Sequence, residues 1–261
     1  MNRAELFDQL MHVAAQNQAA FREKALTAFW PMCGRNWNGQ LMVIGRAVNG
    51  WTDPWLPAKA LEPGGRSEIL AMTLRAAEGD GVECPMLWVS KGWGAPSGYN
   101  TKRSAFWRVI RSTVTQLGVC DTDLPSWPSS LMWTNLYKLS PAAGSNPSAG
   151  LTRIQEELSP QLLALEVVEY QPDRILFLTG MDWAEPFLSR IGEFEPCWTG
   201  LASAQTAGTI RVGSNGRAVR VVVAMHPQGK RHDAFVAAVQ DAWRAVDSHS
   251  ACCSGKAAAR R

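Results

Sequence analysis

His226 carries the side chain best suited to hydrogen-bond or proton-transfer chemistry in this 261-residue chain. It follows the apolar run at residues 219–225 and precedes Pro227, which restricts it to an extended conformation. An isolated histidine is usually structural, but one that ends a strand at a ligand-binding edge is a candidate donor or base. The residues that follow form a polar, cationic loop suited either to phosphate contacts or simply to solvation: Gln228, Gly229, Lys230 and Arg231.

Asn135 follows a second apolar run, at residues 131–134, and offers both a carbonyl and an NH2 group. Such an amide can pair with the edge of a pyrimidine, although an asparagine here can also serve only as a cap or turn residue. Lys138 and Ser140 follow closely and are candidates for phosphate contacts, with a solvated lysine as the alternative. The segment therefore predicts a base-reading amide beside groups that contact a nucleic-acid backbone.

A turn bracketed by Gly45 and Gly50 follows the apolar run at residues 41–44. Glycine lets a backbone approach a ligand closely, and Asn49 and Asp53 are polar groups able to hold a water molecule. The turn lacks both the third glycine of a dinucleotide-binding loop and the Gly-Lys-Ser/Thr of a P-loop. It is a candidate ligand-contacting loop without a phosphate fingerprint, and a plain strand-to-loop turn is the alternative.

The elements that must position these residues alternate between strand and helix. Four short apolar runs, each followed by Gly, Asn or His-Pro, predict buried parallel strands at residues 41–44, 131–134, 174–178 and 219–225. Helices are predicted at residues 3–29, 66–77, 104–117, 152–170 with a break near Pro160, 183–191 and 232–246. This order is typical of a doubly wound α/β fold, in which ligands bind outside the carboxyl ends of the strands.

Composition indicates an ordinary globular protein, with 46% hydrophobic residues, 19% charged residues and a net charge of +3. We expect one domain over residues 1–247 and a disordered tail over residues 248–261, which show no periodicity. No stretch resembles a signal peptide or reaches membrane-spanning length, which predicts a cytoplasmic protein without a membrane partner. The six cysteines form no CxxC pair, so neither a metal site nor a disulfide framework is expected.

Three segments resemble the uracil-DNA glycosylase superfamily in order, character and placement: GRAVNGW at 45–51, WTNLYKLSP at 133–141 and AMHPQGK at 224–230. With PDRILFLTG at 172–180, the resemblance extends over most of the folded chain, from about residue 40 to residue 246. It implies a three-layer α/β/α sandwich with a four-stranded parallel central sheet. It also implies an enzyme that flips a base out of DNA, for which we expect no cofactor and a monomeric state.

The resemblance assigns roles to the residues at matching positions. Asn135 would read the base edge, and His226 would donate to the pyrimidine O2 as the base departs. Arg46, Ala47 and Trp51 would line the base pocket, and the loop at 228–231 would enter the duplex. Two further cations, Lys102 and Arg103, end a Gly- and Pro-rich stretch at residues 91–103. The candidate DNA contacts are Lys102, Arg103, Lys138, Ser140, Gln228, Lys230 and Arg231.

Departures from the superfamily pattern indicate an unusual substrate. Ala47 stands where many members carry Asp, Glu or Asn and cannot orient water, which leaves Asn49 and Asp53 as catalytic candidates. The Tyr that screens the pyrimidine 5-position in the uracil-specific branch is also missing from the turn. We therefore expect a base enlarged at that position, such as glucosylated hydroxymethylcytosine in phage DNA, and an anti-phage role. The candidates for stacking on its sugar are Trp51, Trp55 and Trp93.

Several other functions fit the same residues. The chain can be a uracil or mismatch repair glycosylase, or a protein that binds altered nucleic acid without cutting it, as the missing acidic residue allows. A hydrolase with a Ser or Cys nucleophile and His226 as base has little support, because no GxSxG elbow is present. A Schiff-base lyase acting through Lys138 would need a depressed pKa that nothing in the sequence predicts.

Overall fold

The computed structural model describes residues 1–48, 50–78, 84–200, 203–214 and 216–258. Its helices, in chain order from α1 to α8, are Arg3–Gln16, Gly65–Glu78, Trp88–Lys91, Ala105–Leu117, Ala149–Gln155, Leu158–Tyr170, Met181–Ile191 and His232–Ala258. Its strands, from β1 to β9, are Leu26–Ala28, Met32–Cys33, Met42–Gly45, Met132–Asn135, Leu139–Pro141, Arg174–Leu178, Gly192–Thr199, Ala204–Val212 and Arg217–Ala224.

The main sheet is mixed and has seven strands in the order β2-β4-β3-β6-β9-β8-β7. Strands β4, β3, β6 and β9 pair in parallel with their neighbours, while β2, β8 and β7 are attached antiparallel at the two sides. A separate antiparallel pair joins β1 to β5. The α/β class predicted from the sequence is confirmed, but the sheet is larger and less uniform than the four-stranded parallel sheet that was expected.

Alternation along the central strands explains how the sheet is covered on both faces. Successive side chains of a strand point to opposite sides, and Val43 belongs to one buried apolar cluster while Met42 and Ile44 belong to another. Helices α1, α4 and α8 contribute to the first cluster, α6 contributes buried residues to both, and all of the buried residues of α7 belong to the second. The central strands are therefore buried on both faces, which accounts for their continuous apolar runs.

Helix boundaries differ from the sequence prediction at the N-terminus. Asn2 and Glu5 form a reciprocal cap at the start of α1, but the helix ends at Gln16 instead of continuing to residue 29. Residues 26–28 form β1 instead, in register with β5. Strand pairing with a distant segment thus overrides local helix preference, and it also makes residues 139–141 a strand where an irregular loop was predicted.

Two further helices differ from their predicted extents. Residues 149–170 form two helices, α5 and α6, and Pro160 lies in the first turn of α6, where a missing backbone N–H costs no hydrogen bond. Helix α8 runs to Ala258, through part of the segment for which we predicted no regular structure. That segment is rich in alanine, which favours helix even without an apolar stripe. Within the described ranges, no helix combines the length and apolar character needed to cross a bilayer.

Candidate functional site

The ends of the four parallel strands meet at one edge of the sheet. Gly45 lies opposite Asn135 in the β3–β4 register, and Leu178 lies opposite Ala224 in the β6–β9 register. Backbone hydrogen bonds continue this contact past the strands, because the N–H of Gly180 donates to the carbonyl of Ala224 at 2.8 Å. The fold therefore places the segments that begin at Arg46, Asn135, Thr179 and Met225 side by side.

Asn135 is 2% exposed, and its amide lies against Gly45. A β-carbon at residue 45 would overlap Oδ1 of Asn135, so glycine is required there by the position of this side chain. The ring of Phe106, in the first turn of α4, would be 3.4 Å from the same point. The Nδ2 group of Asn135 is buried and has no hydrogen-bond partner among the described residues. An unpaired buried amide is costly unless a ligand completes it.

His226 is partly buried and oriented by its own loop. The backbone N–H of Gln228 donates to Nδ1 at 3.4 Å, which leaves Nε2 to carry the proton of the neutral ring. Burial, and secondarily the positive charge of Arg46, lower the pKa of His226. The imidazole is therefore held as a neutral hydrogen-bond donor near pH 7.

Arg46 connects the first strand end to the third and fourth. Its Nε donates to the carbonyl of Thr179 at 2.7 Å, and its guanidinium lies 4.9 Å from the ring centre of Trp183. Burial lowers the pKa of Arg46, and the carboxylate of Asp182 opposes that shift. A guanidinium remains charged under these conditions, so the edge of the sheet combines a fixed cation with a neutral histidine.

Of the two water-activating residues predicted from the sequence, only Asp53 lies in the described part of the chain. Asn49 lies outside the described residues. Asp53 is exposed, and it makes no hydrogen bond or ion pair with any residue in the described part of the chain. Ala47 is partly buried and has no polar side-chain atom. Water activation by Asn49 or Asp53 therefore stays a prediction.

Lys138 and Ser140 are not on the surface, so their predicted DNA contacts are wrong. The side chain of Lys138 is 1% exposed, and its ammonium lies 2.8 Å from Oε1 of Glu166. Ser140 is fully buried in β5, and its hydroxyl has no partner among the described residues. Burial lowers the pKa of Lys138 and Glu166 opposes the shift, but the enclosed amine has no access to a sugar aldehyde. The burial of Lys138 therefore argues against a Schiff-base lyase that acts through this residue.

Trp51 packs in an aromatic cluster against the hydrophobic core. Its ring is within 5.8 Å, centre to centre, of Phe29, Trp88 and Trp133. Trp55 is only 5% exposed and is therefore unavailable for stacking on a sugar. The ring of Trp93, also proposed for stacking, lies 4.9 Å from the guanidinium carbon of Arg111. Most of the expected sugar platform is thus core packing, and Trp51 is itself partly buried among the other rings.

The remaining predicted DNA contacts are exposed. Lys102 and Arg103 form a short turn just before α4, on the same loop as Tyr99, which is 62% exposed. On the far side of the site, the N–H of Lys230 donates to the carbonyl of Pro227, which closes a turn that leads into α8. Its exposed residues are Gln228, Gly229, Lys230 and Arg231. These two loops supply the cations that the sequence predicted for a phosphate backbone.

Sequence reasoning missed four residues at the edge: Phe106, Asp182, Trp183 and Gln205. Gln205 accepts the N–H of Met181 at 2.8 Å through its side-chain carbonyl, so the β7–β8 hairpin is tied to the start of α7. Asp182 and Trp183 lie in the first turn of α7, which begins three residues after the end of β6, and the rule that ligands gather at strand ends could have found them. Gln205 and Phe106 carried no such signal, because each reaches the site from a different element.

Two comparisons with known proteins were made for the chain. Neither the scan against protein-family models nor the search of curated proteins finds a match. Among the cysteines, burial raises the pKa of Cys33 to about 11, which disfavours the thiolate that a cysteine nucleophile would need.

Proposed function

We propose that this protein is a monofunctional DNA glycosylase that hydrolyses the N-glycosidic bond of a flipped-out, modified pyrimidine and leaves an abasic site. The observation that carries the proposal is the buried amide of Asn135, whose Nδ2 has no hydrogen-bond partner among the described residues. Such a group suits the polar edge of a base at the carboxyl end of the sheet. The resemblance of the strand-end segments to the uracil-DNA glycosylase superfamily supports the same reading.

Recognition of the base rests on Asn135 and the space beside it. An amide presents one acceptor and two donor hydrogens, which complement the Watson–Crick edge of a pyrimidine. Gly45 provides room next to Oδ1, and Phe106 offers an aromatic surface close by. A base bound there completes the buried amide, so the correct edge gains a hydrogen bond that a mismatched edge leaves unmade.

Departure of the base rests on His226 and Arg46. Cleavage of the N-glycosidic bond builds negative charge on the base, so donors placed for that charge stabilise the transition state more than the substrate. Nε2 of the neutral imidazole is free to donate to O2, since Nδ1 accepts from Gln228. The nearby guanidinium of Arg46 adds a positive potential that favours the leaving anion.

The hydrolytic water needs a polar group near the sugar, and three side chains are available for this role. Asn49 and Asp53 follow from the sequence, and Asp182 joins them because its charge acts on Arg46 at the same edge. The single replacements Asn49→Ala, Asp53→Asn and Asp182→Asn distinguish the three. The residue that activates water will lose turnover while DNA affinity is kept.

The best candidate substrate is a 5-substituted cytosine, such as glucosylated hydroxymethylcytosine in phage DNA, and the corresponding role is anti-phage defence. It is favoured by the absence of a screening Tyr in the turn after Gly45, and Trp51, which is only partly buried, is the remaining candidate for stacking on the sugar. Uracil or mismatched bases in repair are the alternative. Duplexes that carry each base separate these substrates directly.

The experiment that tests the proposal is the formation of alkali-labile abasic sites. The protein is incubated with duplex and single-stranded DNA that contains uracil, mismatched bases or hypermodified cytosine, and the strands are then treated with alkali. We expect cleavage of at least one modified DNA by the wild-type protein and a large loss with His226→Ala, which still binds DNA. Complete absence of cleavage across the panel would refute glycosylase activity.

A second candidate is a protein that binds modified nucleic acid without cutting it. It is favoured by Ala47, which removes the usual water-activating side chain, and by the exposed position of Asp53. This candidate predicts tight, base-dependent binding that is lost with Asn135→Ala and unchanged with His226→Ala. A glycosylase instead loses turnover with His226→Ala.

A further inference from the structure

A buried polar network lies directly behind Asn135. The ammonium of Lys138 donates to the carbonyl of Asn135 at 2.7 Å and to Oγ1 of Thr134 at 2.8 Å. Oε1 of Glu166, in α6, lies 2.8 Å from the same ammonium, and Oε2 accepts from Oγ1 of Thr134 at 2.8 Å. Successive side chains of β4 point to opposite faces, so this network approaches from the α6 face while the Asn135 amide lies on the α4 face.

The network fixes one peptide unit from both sides. The carbonyl of Asn135 accepts from Lys138, and the N–H of the same peptide unit, which belongs to Leu136, donates to the carbonyl of Gly45 at 2.9 Å. The next N–H, of Tyr137, donates to the carbonyl of Arg46 at 3.0 Å. The backbone on which the Asn135 side chain pivots is therefore hydrogen-bonded both across the sheet and behind it.

A buried ion pair is poor evidence for stabilisation. Removing two charges from water costs several kcal/mol for each ion, and well-packed apolar replacements are often equally stable. The side chains of both Lys138 and Glu166 are 1% exposed, so neither is available to substrate or solvent. The feature they control is instead the position of the Asn135 carbonyl.

We propose that Lys138 and Glu166 form a positioning pair that holds the Asn135 backbone rigid and so determines how strictly the site discriminates between pyrimidines. The inference rests on the proposed function, since it assigns Asn135 to base recognition. A base edge is read strictly only when the amide cannot shift to accommodate the wrong pattern of donors and acceptors. Loss of the pair therefore relaxes discrimination more than it reduces turnover on the preferred base.

The sharpest variant replaces the whole network by apolar side chains of similar size: Thr134→Val, Lys138→Met and Glu166→Leu together. It leaves no buried charge, and the Asn135 carbonyl is the acceptor that loses its partner, so the protein is expected to fold. Single replacement of Lys138 or Glu166 leaves its partner as an uncompensated buried charge, which destabilises the fold. Such a loss of stability shows only that the two charges are paired in the wild type. The matched control is Asp8→Leu with Arg66→Met, because this ion pair also joins two helices but makes no contact with Asn135, Lys138 or Glu166.

Two measurements test the pair. Amide hydrogen exchange reports the Leu136 N–H, which we expect to exchange at least tenfold faster in the triple variant and at the wild-type rate in the control. Base release from two duplexes, one with the preferred base and one with its 4-amino or 4-carbonyl counterpart, gives the discrimination ratio. We expect that ratio to fall at least tenfold in the triple variant while kcat on the preferred base falls less.

The outcomes separate this inference from the function on which it rests. Wild-type exchange at Leu136, or an unchanged discrimination ratio in a folded triple variant, overturns the positioning role while glycosylase activity stands. If the wild-type protein releases no base, the glycosylase proposal fails and the role in base discrimination fails with it. In that case faster exchange at Leu136 would still show that the pair holds the backbone.

Discussion

His226 is the residue on which the chemistry of the site depends most. Its Nε2 is left to donate because Nδ1 accepts from the backbone of Gln228. We expect His226→Ala to reduce kcat by about a hundredfold or more, since removal of one preorganised donor to a developing oxyanion typically costs that much. Single-turnover base release measures the loss, and DNA affinity measured in parallel should change little. Equal losses of affinity and rate would instead identify a binding residue.

The lowered pKa of His226 has a consequence for pH dependence. Because burial and Arg46 disfavour the charged ring, folding is opposed by protonation below the ordinary histidine pKa of about 6.5. This contribution to stability is complete above that pH and is lost as the pH falls toward the lowered folded-state value. We therefore expect the free energy of unfolding to fall less between pH 7 and pH 5 in His226→Gln than in the wild type. Denaturant titrations at the two pH values measure the difference, and identical slopes against pH would contradict it.

Gly45 should be as important as the side chains around it. A β-carbon at this position would overlap Oδ1 of Asn135, so Gly45→Ala must displace the base-reading amide. We expect kcat/KM to fall at least tenfold. A double-mutant cycle provides the control, because Gly45→Ala should cost much less when Asn135→Ala has already removed the amide. Additive losses would show that the two residues act independently.

At the scale of elements, the β7–β8 hairpin adds a contact to the start of α7 that the four central strands alone would not make. Gln205 links this hairpin to α7, since its side chain accepts the first N–H of the helix. Trp183, in the same turn of α7, lies under the guanidinium of Arg46. The hairpin is therefore connected to the site through the first turn of α7.

Replacement of Gln205 tests that connection. Gln205→Ala leaves the Met181 N–H without its acceptor and is expected to cost about 1 kcal/mol of stability, as loss of a helix cap does. Gln205→Glu keeps an acceptor and adds a negative charge that a helix N-terminus favours, so it should retain near wild-type stability. Thermal unfolding of both variants measures the effect. Equal destabilisation by both changes would contradict a capping role.

The same hairpin shows which elements the sequence could not reveal. β3 and β6 are apolar on both faces and were predicted nearly to the residue, because continuous apolar runs indicate buried strands. β7 is mostly exposed or half-buried and carries Glu193 and Glu195, so it had no apolar run to be recognised by. The predicted DNA contact of Lys138 was wrong for a related reason. Its partner Glu166 lies 28 residues away in the sequence, and only the fold brings the two side chains together.

At the scale of the whole molecule, exposed cations lie on two loops beside the strand ends. Lys102 and Arg103 precede α4, and Lys230 and Arg231 precede α8. Each cation that neutralises a phosphate contributes about one unit to the slope of log affinity against log salt concentration. We expect the slope for duplex DNA to fall by about two when either pair is changed to alanine. Arg190→Ala, at the opposite end of the sheet beside the start of β9, should leave the slope unchanged.

How much of the site could be predicted follows from where its residues lie. Asn135, Arg46 and His226 could be predicted from the sequence. Each lies at or just after the end of a buried strand, and the ends of neighbouring parallel strands share one edge of the sheet. Phe106 and Gln205 could not be predicted in this way, because they reach the site from α4 and β8. The burial of Ser140 and Trp55 was equally hidden, because both depend on β1, which itself forms only by pairing with distant residues.

The most direct test of the account is the identity of any free base released from DNA. Wild-type protein and His226→Ala are incubated with a panel of DNAs that carry uracil, mismatched bases, hydroxymethylcytosine and glucosylated hydroxymethylcytosine, and the small molecules released are identified by mass spectrometry. The account predicts an intact modified pyrimidine from the wild type, with glucosylated hydroxymethylcytosine the best substrate, and about a hundredfold less from His226→Ala. Release of no base from any of these DNAs would contradict it.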